Sequence, residues 1–247
     1  LFSNMITYSP HSIASFHAIF TGLYGTKSGV NSFFGTLNFH QDACKTLPQY
    51  LQEQGYYCMG DSMNDLVIPK QGFHKLVVQK AFSTFMSSHK QLIEEVVEKN
   101  QEGVPCFLHL HCSLLHNSVV NGIIKKFKGT EEQYAQNKEE NEQRYNKYLQ
   151  EIDEYVNDIV QELEKYNLFD NSTIVFFSDH GNSLGEKQGE VAYGVFCYDY
   201  SLKTFALFID DLFPVKEIPQ MIRNVDMMPT ILDMLKITPQ RNVLPLD

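Results

Sequence analysis

The 247-residue chain has no tryptophan, no apolar run of membrane length and no surplus of positive charge. A bilayer span needs roughly 20 consecutive apolar residues, so no membrane span is expected, and the opening residues carry no secretory signal pattern. Twenty Lys and Arg stand against 30 Asp and Glu, a formal charge of −10. Binding to nucleic-acid backbones needs a dense basic face that this balance does not supply, so nucleic acid is not an expected partner. Cysteine is sparse and odd in number, at positions 44, 58, 106, 112 and 197. That scatter fits neither a disulfide scaffold nor a zinc ribbon and reads mostly as buried thiols. No Pro-, Gly- or Ser-rich linker divides the chain, and 43% hydrophobic content is enough for one domain over residues 1–247. Nothing in the composition sets an oligomeric state.

What is present is an alternation. Strand-like runs occur at 56–60, 74–78, 105–113, 172–178 and 204–209. Helical spacing fills the intervals at 12–24, 45–54, 90–100, a long stretch ending near Tyr166, and 226–235. Alternating strands and helices predict an α/β fold, a three-layer α/β/α sandwich around a largely parallel, mixed sheet. In the long helix Tyr145, Leu149, Ile152, Tyr155, Val156, Ile159, Leu163 and Tyr166 form one apolar stripe. The polar stretch 128–144 before it reads as a solvated helix or a mobile insertion.

Two places carry chemistry. The apolar run "STIVFFS" ends abruptly on Asp179, His180 and Gly181. In open α/β sheets the carboxyl ends of strands are where ligands bind, and a carboxylate beside an imidazole suits a divalent cation. Near the start, "TYSPHSIASFHAIFTGLYGTKSGV" (7–30) breaks at Pro10 and then takes helical spacing until Gly25, which sets Ser12 at or near a helix N-terminus. Unpaired amides and the positive end of the helix dipole favour an anion there. His11 and His17 flank Ser12 on different helix faces, so at most one can line a site. His109 and His111 alternate along one strand and read as core or rim histidines.

The blocks "SPHSIASFHAIFTGLYGTKSGV", "FFSDHGNSLGE", "YGVFCYDYSLKTFALFI" and "VDMMPTILDMLKI", in this order over residues 7–237, resemble the alkaline phosphatase/sulfatase superfamily, and within it the sulfatase-like hydrolases. The resemblance implies metal-assisted attack on a sulfuric or phosphoric ester, with a small anionic ester as substrate and one or two divalent cations (Ca²⁺, Zn²⁺ or Mn²⁺) as cofactor. It places the nucleophile at Ser12 and metal ligands at Asp179 and His180. His116, in "HLHCSLLHNS", matches a histidine that contacts the ester or protonates its leaving oxygen. Lys203, Tyr193 and Lys27 are the expected substrate contacts.

Three departures from the family pattern follow. The family's first acidic motif, which supplies further metal ligands, would lie before Leu1, so a chain truncated at its N-terminus is expected. The formylglycine signature needs an arginine where Phe16 stands, which points to an unmodified Ser12 and tilts the substrate toward phosphate esters. Tyr193 occupies a histidine place, with Glu186, Lys187 and Glu190 in the same loop as candidates to compensate. These departures motivate an alternative, a catalytically inactive binding or assembly module.

Overall fold

The computed structural model describes residues 1–32, 38–79, 85–127, 130–211 and 213–239. The elements run β1 (Phe2–Ile6), α1 (Ser12–Thr21), α2 (Gly25–Ser28), α3 (Leu47–Glu53), β2 (Tyr57–Ser62), β3 (Lys75–Val78), α4 (Phe85–Gln101) and β4 (Cys106–His109). They continue with α5 (Leu114–Val119), a π-helical turn (Val120–Ile124), α6 (Lys125–Phe127), α7 (Glu131–Gln136), α8 (Lys138–Lys165) and β5 (Ile174–Phe177). The last are α9 (Asp199–Leu202), β6 (Lys203–Ile209), β7 (Ile222–Arg223), a 3₁₀ turn (Asn224–Asp226) and α10 (Met227–Met234).

Among the described residues the strands form two sheets. One has the order β3-β2-β4 and is wholly parallel. The other has the order β5-β6-β1-β7, in which β6 runs antiparallel to both neighbours while β1 and β7 are parallel. Strand β2 shows why the architecture has three layers. Its consecutive residues Cys58 and Met59 are both fully buried, yet Cys58 packs with α1, α3 and α10 while Met59 packs with α4 and α8. Side chains alternate across a strand, so β2 is covered on both faces, as a parallel strand must be. This is an α/β/α sandwich.

Helix α1 ends earlier than the spacing predicts. Gly22, not Gly25, takes the left-handed conformation (φ 65°), and its N–H closes back on the Ala18 carbonyl. The strands β1 and β7 are not evident in the sequence, because "FSNMI" mixes polar with apolar residues and β7 has two residues only. The long helix is present as α8, with Tyr155 and Ile159 buried along its stripe, although Leu149 is exposed. Within the stretch 128–144, residues 128 and 129 lie outside the described residues, and from Glu131 it is α7 and the start of α8, joined at the non-helical Asn137. Its outer face is polar, but Tyr134 and Asn141 are fully buried. They hold the loop after β5: Tyr134 Oη donates to the Ser183 carbonyl (2.7 Å) and Asn141 Nδ2 to that of Leu184 (3.1 Å). None of the described helices is long and apolar enough to cross a membrane.

Candidate active site

The carboxyl edge of the two sheets gathers residues that are far apart in sequence. His11, in extended backbone, is the N-cap of α1, and Ser12 is its first residue, with no side-chain capping bond. Freed from capping, the Ser12 hydroxyl lies 3.2 Å from His180 Nε2, across 168 positions. It also neighbours the Asp179 carboxylate and helps to hold it ionised. His180 Nδ1 donates to the Gly181 carbonyl (2.8 Å), which leaves Nε2 with its lone pair directed at Ser12. Gly181 is required at this turn: a Cβ there would lie 2.2 Å from the Tyr200 carbonyl oxygen. Its N–H donates to Ser201 O (2.8 Å) and ties the Asp179–His180 turn to α9, just before β6.

Beneath this pair is a buried network without charge. Ser15, one turn into α1, donates through Oγ to the Asp179 carbonyl (2.6 Å). Asn224 Nδ2 lies 3.1 Å from both Ser15 Oγ and Thr7 Oγ1, and Asn224 Oδ1 accepts from Tyr8 N (3.0 Å). These bonds join the loop after β1, the first turn of α1, the end of β5 and the turn after β7.

The electrostatics keep Asp179 ionised. Burial pushes its carboxyl up, but His180, the Ser12 hydroxyl and His111 outweigh it and hold it below the usual carboxylate range. Tyr193 joins two candidates. Its ring lies 4.7 Å from that of His180, and its hydroxyl is 2.9 Å from His116 Nδ1. Burial, followed by the charge of Asp179, pushes the Tyr193 phenol well up, so it stays protonated. With that hydroxyl donating to Nδ1, His116 presents its other nitrogen as N–H. Burial, then His111 and His180, hold His116 below the ordinary histidine value, so near neutral pH it is an uncharged hydrogen-bond donor rather than a ready acid. Ala192, just before Tyr193, is fully buried at φ 70°, a backbone conformation costly for a residue with a side chain.

The structure thus brings together Ser12, Asp179, His180, Tyr193 and His116. Lys203 has its backbone beside Gly181, but its side chain is exposed. Lys27 is exposed on α2, with its carbonyl bonded to His40, and no described contact links it to Ser12. Glu186 and Glu190 organise their loop instead of reaching the site: Glu186 accepts from Ser183 Oγ and Leu184 N, and Glu190 from Val195 N and Phe196 N. Phe16 packs against His109, His111 and Phe177. Of the histidines flanking Ser12, His17 turns away, its ring 5.0 Å from Phe39. His11 is the one that feels the charges of His180 and Asp179. His111 is a residue that the sequence reading set aside; its charge couples to Asp179 and His180, and its Nδ1 is buried without a partner among the described residues. Its strand-end position was the available signal.

A divalent cation is implied by the family resemblance, and the donor chemistry fits as far as it goes. Asp179 is ionised, and His180 has its tautomer set by Gly181, as metal-bound histidines usually do through a neighbouring acceptor. Among the described residues no group of three or more His, Cys, Asp and Glu side chains is arranged to hold a metal. Asp179 and His180 would supply two donors, with Ser12 Oγ beside them.

No curated protein sequence matches the chain. Solved structures do, at identities that speak for the fold alone. A 2-O GAG sulfatase is 15% identical, with a TM-score of 0.74 over 97% of this chain and 63% of its own. A phosphonate monoester hydrolase of Agrobacterium radiobacter is 13% identical (TM-score 0.70, 97% and 67%). The lipoteichoic acid synthase LtaP from Listeria monocytogenes is 14% identical (TM-score 0.63, 96% and 64%). The chain spans roughly two thirds of the length of these proteins. The family described as Sulfatase matches residues 1–237, nearly the whole sequence. This chain belongs to the sulfatase family.

Proposed function

We propose that this chain carries the catalytic centre of a hydrolase or transferase of sulfuric or phosphoric esters, with Ser12 as nucleophile. The observation that carries the reading is the 3.2 Å contact between Ser12 Oγ and His180 Nε2, with Asp179 alongside. A free serine hydroxyl is a weak nucleophile, and a positioned acceptor for its proton is what activates it. The Asp179 carboxylate is such an acceptor, with one oxygen left for the proton where the other and His180 Nε2 hold a cation. Ser12 is also the first residue of α1, and the positive end of that helix's dipole favours the negative charge that grows on the attacked group.

In this reading Ser12 Oγ forms a bond to phosphorus or sulfur as the bond to the leaving oxygen breaks. His116 N–H hydrogen-bonds that oxygen, and Tyr193 holds the His116 ring. Lys203 and Lys27 are the flexible cations available to the rest of an anionic substrate. Asp179 and His180 would hold a divalent cation, Ca²⁺, Zn²⁺ or Mn²⁺, whose chemistry is to screen the ester oxygens and lower the hydroxyl pKa. Phe16, packed among aromatic rings where the formylglycine signature needs arginine, supports an unmodified Ser12 and hence phosphate over sulfate esters.

A second reading, an inactive binding or assembly module, draws on Tyr193 in a histidine place and on the two-ligand set. Screening aryl phosphates and aryl sulfates with Ca²⁺, Mn²⁺, Mg²⁺ and Zn²⁺ separates the two. Turnover that is lost with chelator or in Ser12→Ala supports the hydrolase; no turnover with any pair supports the module.

A further inference from the structure

A second buried polar cluster lies at the ends of β2 and β4, and the chemistry above does not use it. Its centre is Asp61, which is completely buried. Asp61 Oδ1 accepts from the backbone N–H of His111 (2.7 Å), and Oδ2 accepts from His89 Nε2 (2.7 Å) and Gln79 Nε2 (2.5 Å). Gln79 Nε2 also donates to the His111 carbonyl (2.7 Å), and Gln79 Oε1 accepts from Ser113 Oγ (2.5 Å). Behind them His89 Nδ1 meets the Tyr155 hydroxyl of α8 (2.9 Å).

The bonds converge on one short segment. β4 ends at His109, so the backbone groups of His111 have no strand partner and need others. Side chains from two other parts of the chain, Asp61 and Gln79, take both of them. Ser113, held through Gln79, is the N-cap of α5, and its carbonyl accepts from Asn117 (3.0 Å). His116 follows three residues later on that helix. A buried carboxylate is a costly way to satisfy two amides, since desolvating it takes several kcal/mol unless its bonds are complete. Here they are complete enough to prevail: burial pushes the Asp61 carboxyl up, yet His89, His111 and Gln79 bring it below the ordinary range. What such a fully bonded charge provides over an apolar filling is a single allowed register.

We propose that Asp61 is a positioning residue: it fixes the 111–116 segment so that His116 meets Tyr193 beside His180. The inference rests on the reading of His116 as an ester contact, and the test below separates the two. In protein labelled at histidine, Asp61→Asn shifts the His116 ring resonances and abolishes the signature of its bond to Tyr193. With an aryl phosphate as substrate, kcat falls about 10- to 100-fold while KM changes little, as expected for misplacement rather than lost binding. Leu92→Ala, in the apolar cluster between α4 and α8, is the control. It lowers stability but leaves both readouts at wild-type values. If Asp61→Asn does not fold, Ser113→Ala and Tyr155→Phe cut the same network more gently and give smaller shifts at His116. Unchanged His116 resonances in every foldable variant, or equal shifts in Leu92→Ala, overturn the proposal. A protein without turnover sinks the ester reading alone, because the resonances still report on Asp61.

Discussion

The two halves of the site rest on different foundations. Ser12, Asp179 and His180 belong to the sheet containing β1 and β5, and the network that fixes them, Thr7, Ser15 and Asn224, is made of hydroxyls and an amide. His116 follows the sheet containing β2 and β4, and its segment hangs from a carboxylate and an imidazole. The difference follows from what each must hold. On the first side a regular helix brings Ser15 under Asp179 by local geometry, and neutral bonds suffice. On the second side an irregular segment has to be caught in mid-course, and a charge with several strong bonds does so.

The two aspartates make the contrast sharper. Asp61 and Asp179 each end an apolar strand run, "YYCMG" and "STIVFFS". The same local signal leads to two roles. The side chain of Asp179 retains 20% exposure beside Ser12, whereas Asp61 is sealed. The sealing comes from His89 and Tyr155, 28 and 94 positions away.

Several substitutions would break or sharpen this comparison. The largest effect is expected from Ser12→Ala, which should lower turnover at least about 10³-fold with an unchanged circular dichroism spectrum. Next, chemical denaturation should show Asp61→Asn costing about 3–5 kcal/mol, since it breaks a buried charged pair. Asn224→Ala should cost less, about 1–3 kcal/mol, because it strands neutral groups only. A reversed order would mean that the charged network is not the more demanding one.

Two buried histidines outside the bonds of both networks add their own pH dependence to stability. Burial lowers His17 to about 4 and His109 to about 3 from 6.5. Between pH 6.5 and those values the unfolded chain binds more protons than the folded one, so stability rises with pH across that window and falls on acidification. A thermal-melt series should show this loss, on the order of 3 kcal/mol for His17 by pH 4, and His17→Gln should remove that share. The smallest effect is expected from Tyr193→Phe, which gives up the His116 bond and keeps the ring on His180. It should cost about 1 kcal/mol of stability and a modest part of kcat.

Much of this site was legible in the sequence, for a physical reason. Ser12 and the Asp179–His180–Gly181 turn are punctuated locally, by a helix start after Pro10 and by a charged end to an apolar run. Tyr193 and His116 carry no such mark, and the family pattern alone proposed them. The roles of Asp61, Gln79 and His111 were not legible, because they come from bonds between residues 18 to 50 positions apart. Lys27 and Lys203 show the opposite limit: a matching position says little about where an exposed lysine side chain reaches.

The central claim is that the Ser12 hydroxyl attacks the ester, and trapping tests it most directly. The protein is mixed with an aryl phosphate, quenched in acid, digested and analysed by mass spectrometry. The account predicts one phosphoryl group on the peptide containing Ser12, absent from Ser12→Ala. Turnover that continues in Ser12→Ala, or a phosphoryl group on another residue, would contradict it.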